Sequence, residues 1–99
     1  MVNIISAQDL NELMQGESKF ALIDVREAGE YNSSHIADSS LIPRKELEFR
    51  MGASAPVKGE KIIVCDDDGR RATLAASTLE QMGFNNVLVL DRGINQWST

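Results

Sequence analysis

The residues of greatest chemical potential in this 99-residue chain stand together in Ile62–Ala76, IIVCDDDGRRATLAA, where an apolar run delivers the one cysteine, three aspartates and two arginines. Cys65 and Arg71 spell C-x5-R. That spacing suits a thiolate nucleophile whose bound oxyanion is cradled by backbone N–H groups and an arginine, with a helix N-terminus lowering the thiol pKa. Asp66 and Asp68, followed by Gly69, suit a different reaction. One aspartate would attack phosphorus and the other would act as acid and base beside a magnesium ion. A third possibility is a strand feeding a binding loop whose nucleophile has been replaced.

The first two readings meet physical objections. Asp66, Asp67 and Asp68 would lie inside the C-x5-R cradle and repel both thiolate and anionic substrate, and acidic neighbours raise a thiol pKa. Cys65 also reads as the last small apolar side chain of a buried strand. The D-x-D-G run is similar to the motif of haloacid-dehalogenase-type phosphatases, but that family places it early in the domain and needs a downstream lysine. No lysine follows Asp68. A single cysteine excludes an intrachain disulfide and a cysteine-based zinc site. His35, the only histidine, has no nucleophile-elbow motif to join it in a Ser-His-Asp triad. No metal and no cofactor are expected.

Net charge is −5, which argues against nucleic acid and anionic membranes as partners. No run approaches the ~20 apolar residues of a membrane span, and no basic segment followed by an apolar one opens the chain. The expectation is a cytoplasmic protein. With 42% hydrophobic and 25% charged residues, the chain suits one soluble globular domain over residues 1–99. Its abrupt end after Trp97 suggests a domain cut from a longer chain.

The elements that must position these residues follow from periodicity. Val2–Ile5 reads as a short strand. Ser6 suits a helix N-cap with Asp9 three residues on; Leu10, Leu13 and Met14 form one apolar stripe, and Gly16 suits C′. Phe20–Val25 reads as a parallel strand covered on both faces. One helical turn is expected near Glu27–Tyr31, a short strand in SSLIP before Pro43, and a short helix over Arg44–Met51 with Leu47 and Met51 inward. Residues 52–60 read as a loop. Lys61–Cys65 is the next buried strand, and Arg70–Met82 a helix whose inner face is Ala72, Ala75, Ala76, Leu79 and Met82, ended by Gly83. NNVLVLD reads as a further strand and RGINQWST as a last helix carrying Trp97 as a core or anchoring residue. Strands alternating with helices predict an α/β domain with a mainly parallel sheet and helices on both faces. Ligands then bind beyond the carboxyl ends of the strands. Two such ends are polar: Asp24 with Arg26, and Asp66–Arg71.

The chain as a whole resembles a rhodanese-like domain. LIDVREAGEYNSSHIADSSLIPRKELEFR is similar to that family's first signature: a strand ending D-V-R, then E-x-x-E-[FY], G-H-I, a small-residue segment and I-P. KIIVCDDDGRRATLAASTLEQMGFNNVLVLDRGINQW is similar to its second half, with the active-site loop, a helix, M-G, a strand and G-G-I-x-x-W. The resemblance covers about nine-tenths of the chain and implies a three-layer α/β fold with a five-stranded parallel sheet. It also implies persulfide chemistry, in which a loop cysteine accepts a sulfane sulfur and passes it to a thiophilic acceptor, while loop N–H groups and the helix dipole stabilise the anionic sulfur.

A frequent loop pattern in that family is C-x-x-G-x-R-[SA]. Placed without gaps, Gly69 takes the glycine, Arg71 the arginine and Ala72 the small residue, so the nucleophile seat falls on Asp66 and Cys65 is one residue early. Successive strand side chains point to opposite faces, so that offset turns Cys65 into the packing. An aspartate cannot form a persulfide. The resemblance therefore implies a domain inactive in sulfur transfer, serving as a binding or regulatory module for other domains of a longer chain or a protein partner. The alternative is a sulfurtransferase, or a C-x5-R phosphatase-like enzyme, that uses Cys65 through a one-residue change of register. The loop comprises Asp66, Asp67, Asp68, Gly69, Arg70, Arg71 and Ala72. Asp24, Arg26 and His35 are candidate supports, with a strand-end cap as the plainer role for the first two and a backbone-bonded turn as that for His35. Arg70 and Arg71 either bind an anion or, as preferred here, neutralise Asp66–Asp68. Ser34, Asp38 and the pair Asp91-Arg92 before Gly93 depart from positions where the family often carries glycine.

Overall fold

The computed structural model describes residues 2–17, 19–54 and 59–97. Five strands, β1 (Asn3–Ile5), β2 (Ala21–Asp24), β3 (Ser40–Leu41), β4 (Ile62–Cys65) and β5 (Val87–Leu90), form one sheet in the order β1-β5-β4-β2-β3. Every pairing is parallel. The helices are α1 (Ala7–Gln15), α2 (Ala28–Ser33), α3 (Leu47–Ser54) and α4 (Arg70–Gln81), with 3₁₀ turns at Arg44–Glu46 and Gly93–Gln96. The α/β architecture expected from alternation is present.

Side-chain parity sorts the core into two layers. Ile23, Val25, Ile62, Val64, Val87 and Val89 pack with Leu47 and Met51 of α3 and with Ala72, Ala75, Ala76 and Leu79 of α4. Leu22, Ile63, Cys65 and Leu90 point the other way, toward Leu10 of α1, Ile36 and the flanking Ile94 and Trp97. β4 is buried at all four positions, as befits a central strand covered on both sides.

Local chemistry explains the helix starts. The Ser6 side chain accepts from the Asp9 N–H at 3.0 Å, the N-cap expected from the sequence. Glu27 caps α2 in a reciprocal box with Glu30, which carries this helix past the single expected turn, to Ser33. Several boundaries differ from expectation. Gly16 ends α1 with an extended backbone at φ −91°, not in the left-handed C′ geometry. The helix expected over Arg44–Met51 begins as a 3₁₀ turn after Pro43 and runs on as α3 to Ser54, so part of the expected loop is helical. Residues 55–58 of that loop lie outside the described residues. The last element is a four-residue 3₁₀ turn rather than an α-helix.

Two of the three sites where the resemblance replaced glycine keep a left-handed backbone. Asp38 stands at φ +68° and Arg92 at φ +59°. Aspartate tolerates that region through its short polar side chain; arginine meets the full Cβ penalty. Ser34, at φ −167°, is ordinary extended chain.

The topology decides where a site can form. The chain leaves β2 outward toward β3, then returns on the other side of β2 as β4 and proceeds toward β5. The connections diverge between the carboxyl ends of β2 and β4, where open α/β sheets hold their ligands. Asp24 ends β2, and Asp66 follows β4.

Candidate active-site loop

β4 parity puts Cys65 and Asp66 on opposite faces. Cys65 is fully buried in the α1-side core, paired in the ladder with Asp24. Burial, and then the Asp24 carboxylate, push its thiol up to about 12. At neutral pH that leaves almost no thiolate, the form required of a sulfur nucleophile.

Asp66 turns into the start of α4. Its Oδ1 accepts from the Gly69 N–H, and its Oδ2 accepts from the Arg71 N–H at 2.7 Å. The Ala72 N–H, next along the helix, adds its pull on the carboxylate. The carboxylate is fully shielded from solvent. Burial displaces its pKa upward, against the pull of these three donors. Gly69 makes the turn possible: at φ +101° it brings the chain from strand to helix with its N–H directed inward. Asp68 Oδ1 accepts from the Arg70 N–H at 3.0 Å, tightening the same turn from outside.

A second layer holds the loop by its carbonyls. Ile94 N–H donates to Asp66 O at 2.8 Å and Asn95 N–H to Asp67 O at 3.2 Å. Both donors belong to the 3₁₀ turn at Gly93–Gln96, which approaches so closely that a Cβ on Gly93 would collide with the Asp66 carbonyl oxygen. The family-like glycine at position 93 is thus required by a backbone-to-backbone contact.

The arginines divide their roles. Arg71 forms a bidentate pair with Glu30 of α2, both N–O distances being 2.8 Å, and reaches Asp67 at 3.2 Å. Its Nε lies 3.9 Å from Asp66 Oδ2. Arg70 is almost fully exposed and lies 3.6 Å from Asp68. Neutralisation of the aspartates by the arginines, the preferred expectation, is therefore incomplete: the strongest partner of Arg71 is Glu30, a residue the sequence did not mark as part of the site. Glu30 is held down to about 2 by the Arg71 guanidinium and the Glu27 N–H. Its only sequence signal was its place in E-x-x-E-[FY].

Asp24 and Arg26 form a buried pair rather than a ligand-facing one. Arg26 Nη2 donates to Asp24 Oδ2 at 2.7 Å and to the Ser34 carbonyl at 2.6 Å, and Arg26 Nε and N–H both donate to Asp24 Oδ1 at 3.0 Å. The pair ties the end of β2 to the end of α2. His35 stacks on Tyr31, ring centroids 3.8 Å apart, with Nδ1 2.8 Å from the Tyr31 carbonyl. Among the described residues both of these His35 interactions are with Tyr31, in keeping with a turn role.

Carboxylate oxygens of Asp66, Asp67 and Asp68 lie within 4.8 Å of one another. The donor set does not suit a cation, because the Asp66 oxygens already face the positive ends of three N–H groups and Asp67 is paired with Arg71. The Asp66 carboxylate, fully shielded from solvent, is likewise closed to an incoming phosphoryl group.

Comparison with known proteins identifies the family of this fold. The family model for the rhodanese-like domain matches residues 6–99. A putative sulfur carrier protein of Bacillus subtilis, YrkF, is 30% identical over 95% of this chain and 50% of its own length. A rhodanese-related protein of Thermoplasma volcanium superposes with a TM-score of 0.82 at 30% identity, covering 96% of this chain and 89% of that one. A thiosulfate sulfurtransferase of Pseudomonas aeruginosa gives a TM-score of 0.89 at 28% identity over 97% of this chain but 18% of its own. The chain thus spans half of its Bacillus relative and a small part of the Pseudomonas protein. It belongs to the rhodanese-like family. Among the described residues, no helix is long and apolar enough to cross a membrane.

Proposed function

We propose that this rhodanese-like domain does not transfer sulfur, and that it acts in the cytoplasm as a binding or regulatory module for another domain of a longer chain or for a separate protein. The observation that carries the reading is the placement of a carboxylate, Asp66, against the loop amides, with the only thiol buried on the opposite face of β4. Sulfur transfer from thiosulfate requires a thiolate to attack the outer sulfur. An S–S bond forms, sulfite leaves, and cyanide then takes the sulfur as thiocyanate and restores the thiolate. Asp66 has no electron pair on sulfur to offer, and Cys65 has no approach to the cradle.

The test is thiosulfate:cyanide transfer by the wild type, Cys65→Ser and Asp66→Cys. The wild type is expected at background and Cys65→Ser unchanged. Asp66→Cys is expected to gain weak turnover, limited by the charges of Asp67 and Asp68 on the new thiol. Robust wild-type turnover that Cys65→Ser abolishes would refute the reading in favour of a sulfurtransferase using Cys65.

A further inference from the structure

The loop that follows β4 has the form of an anion receptor, yet its donors are already satisfied from within the chain. The N–H groups of Gly69, Arg71 and Ala72 converge on the Asp66 carboxylate. From outside, Ile94 and Asn95 N–H groups hold the carbonyls of Asp66 and Asp67. Arg71, the loop's inner cation, is drawn onto Glu30 and Asp67. Asp66 is wholly buried, and the Gly93 backbone closes directly on the loop. No donor of this set is left turned toward an external anion.

We propose that Asp66 is a built-in pseudo-ligand: its carboxylate takes the place of a bound anion, locks the loop in a ligand-bound shape, and closes the cradle to external anions. This concerns how the loop is held, and stands whether or not sulfur is transferred. The seat is occupied by a planar, two-oxygen group held from both oxygens. Deleting the carboxylate leaves aligned donors around a space that formate, which carries the same two-oxygen planar group, can refill. The outer surface of the loop, with Asp68 and Arg70, is then presented in one conformation without any small molecule.

The experiment is chemical rescue. Asp66→Ala strands the converging donors and should lower Tm by about 10 °C. Potassium formate should recover part of that loss where potassium chloride or sulfate at equal ionic strength does not, and should shift the Gly69, Arg71 and Ala72 amide resonances of the variant. The wild type should show neither response, including toward thiosulfate. A folded Asp66→Ala that responds alike to formate and chloride overturns the proposal, as do wild-type amides that shift with sulfate or thiosulfate. If Asp66→Ala does not fold, Asp66→Asn keeps the shape but only one acceptor oxygen. Hydrogen exchange at Gly69 or Arg71 should then accelerate by roughly tenfold, as expected when one such bond is lost; unchanged protection overturns the proposal. The thiosulfate:cyanide assay is read separately, so turnover that depends on Cys65 would remove the inactive-domain reading while leaving these results intact.

Discussion

Two strands end side by side in a buried carboxylate, and the two carboxylates are stabilised by different means. Asp24, at the end of β2, is neutralised by a full cation: Arg26 grips both of its oxygens and is itself shielded from solvent. Asp66, after β4, is held chiefly by peptide dipoles at the start of α4, with the nearest guanidinium nitrogen 3.9 Å away. A side-chain pair is self-contained and leaves nothing for a ligand. A ring of N–H groups is a general anion receptor, and here the chain supplies its own anion. The contrast shows that burial of an acid at the ligand-binding edge of a sheet does not by itself define a functional group; the identity of its donors does.

The largest test of that contrast removes the cation. Arg26→Ala leaves Asp24 buried and uncompensated and is expected to cost about 3–5 kcal/mol in urea unfolding. Replacing both partners with apolar residues, as Asp24→Leu with Arg26→Met, should cost much less. Similar losses in the single and double variants would mean that Arg26 acts through packing and through its bond to Ser34 rather than as a counter-ion.

Gly93→Ala probes the other strand end. A Cβ there collides with the backbone of Asp66 and Asp67 at a residue whose φ is +65°. The combined clash and left-handed penalty is expected to be roughly 3 kcal/mol. Faster hydrogen exchange should be concentrated at Gly69, Arg71 and Ile94. A loss below half a kcal/mol, with unchanged exchange, would show that the 3₁₀ turn does not hold the loop.

The smallest effect separates the surface clasp from both buried acids. Glu30 has its folded pKa lowered from 4.5 to about 2. The stability it contributes is therefore complete above the unfolded value and is lost as pH falls from about 4.5 through 2. Glu30 remains substantially exposed, which holds the pair with Arg71 to at most ~1 kcal/mol. Glu30→Gln should be less stable than wild type at neutral pH, with the gap closing in acid. Asp66, whose pKa is displaced upward, contributes a slope of opposite sign that is common to both proteins and cancels in the difference. A gap that is constant with pH would mean that Glu30 acts only as a helix cap.

Much of this arrangement was legible in the chain. The parallel sheet could be read from the buried runs at Ala21–Asp24, Ile62–Cys65 and Val87–Leu90, because strands covered on both faces must be apolar at nearly every position. The fate of Cys65 followed from the period of two along β4, once Gly69, Arg71 and Ala72 fixed the register of the loop. Short-range capping by Ser6 was equally visible. The choice of Glu30 as the partner of Arg71 was not, since the two lie 41 residues apart and other carboxylates stood closer in sequence. The last helix, expected over RGINQWST, is a short 3₁₀ turn at Gly93–Gln96 because its role is set by what it touches: its N–H groups are spent on the Asp66 and Asp67 carbonyls.

The sequence by itself determined which side chain enters the loop and which is turned away, because strand alternation and a glycine-to-arginine spacing are local properties of the backbone. Only the tertiary structure decided what meets that side chain. Convergence of three N–H groups on Asp66, capture of Arg71 by α2, and the close approach of Gly93 all depend on segments brought together by the sheet order. Hydrogen bonds and Cβ contacts act over a few ångströms, and separation along the chain does not encode them.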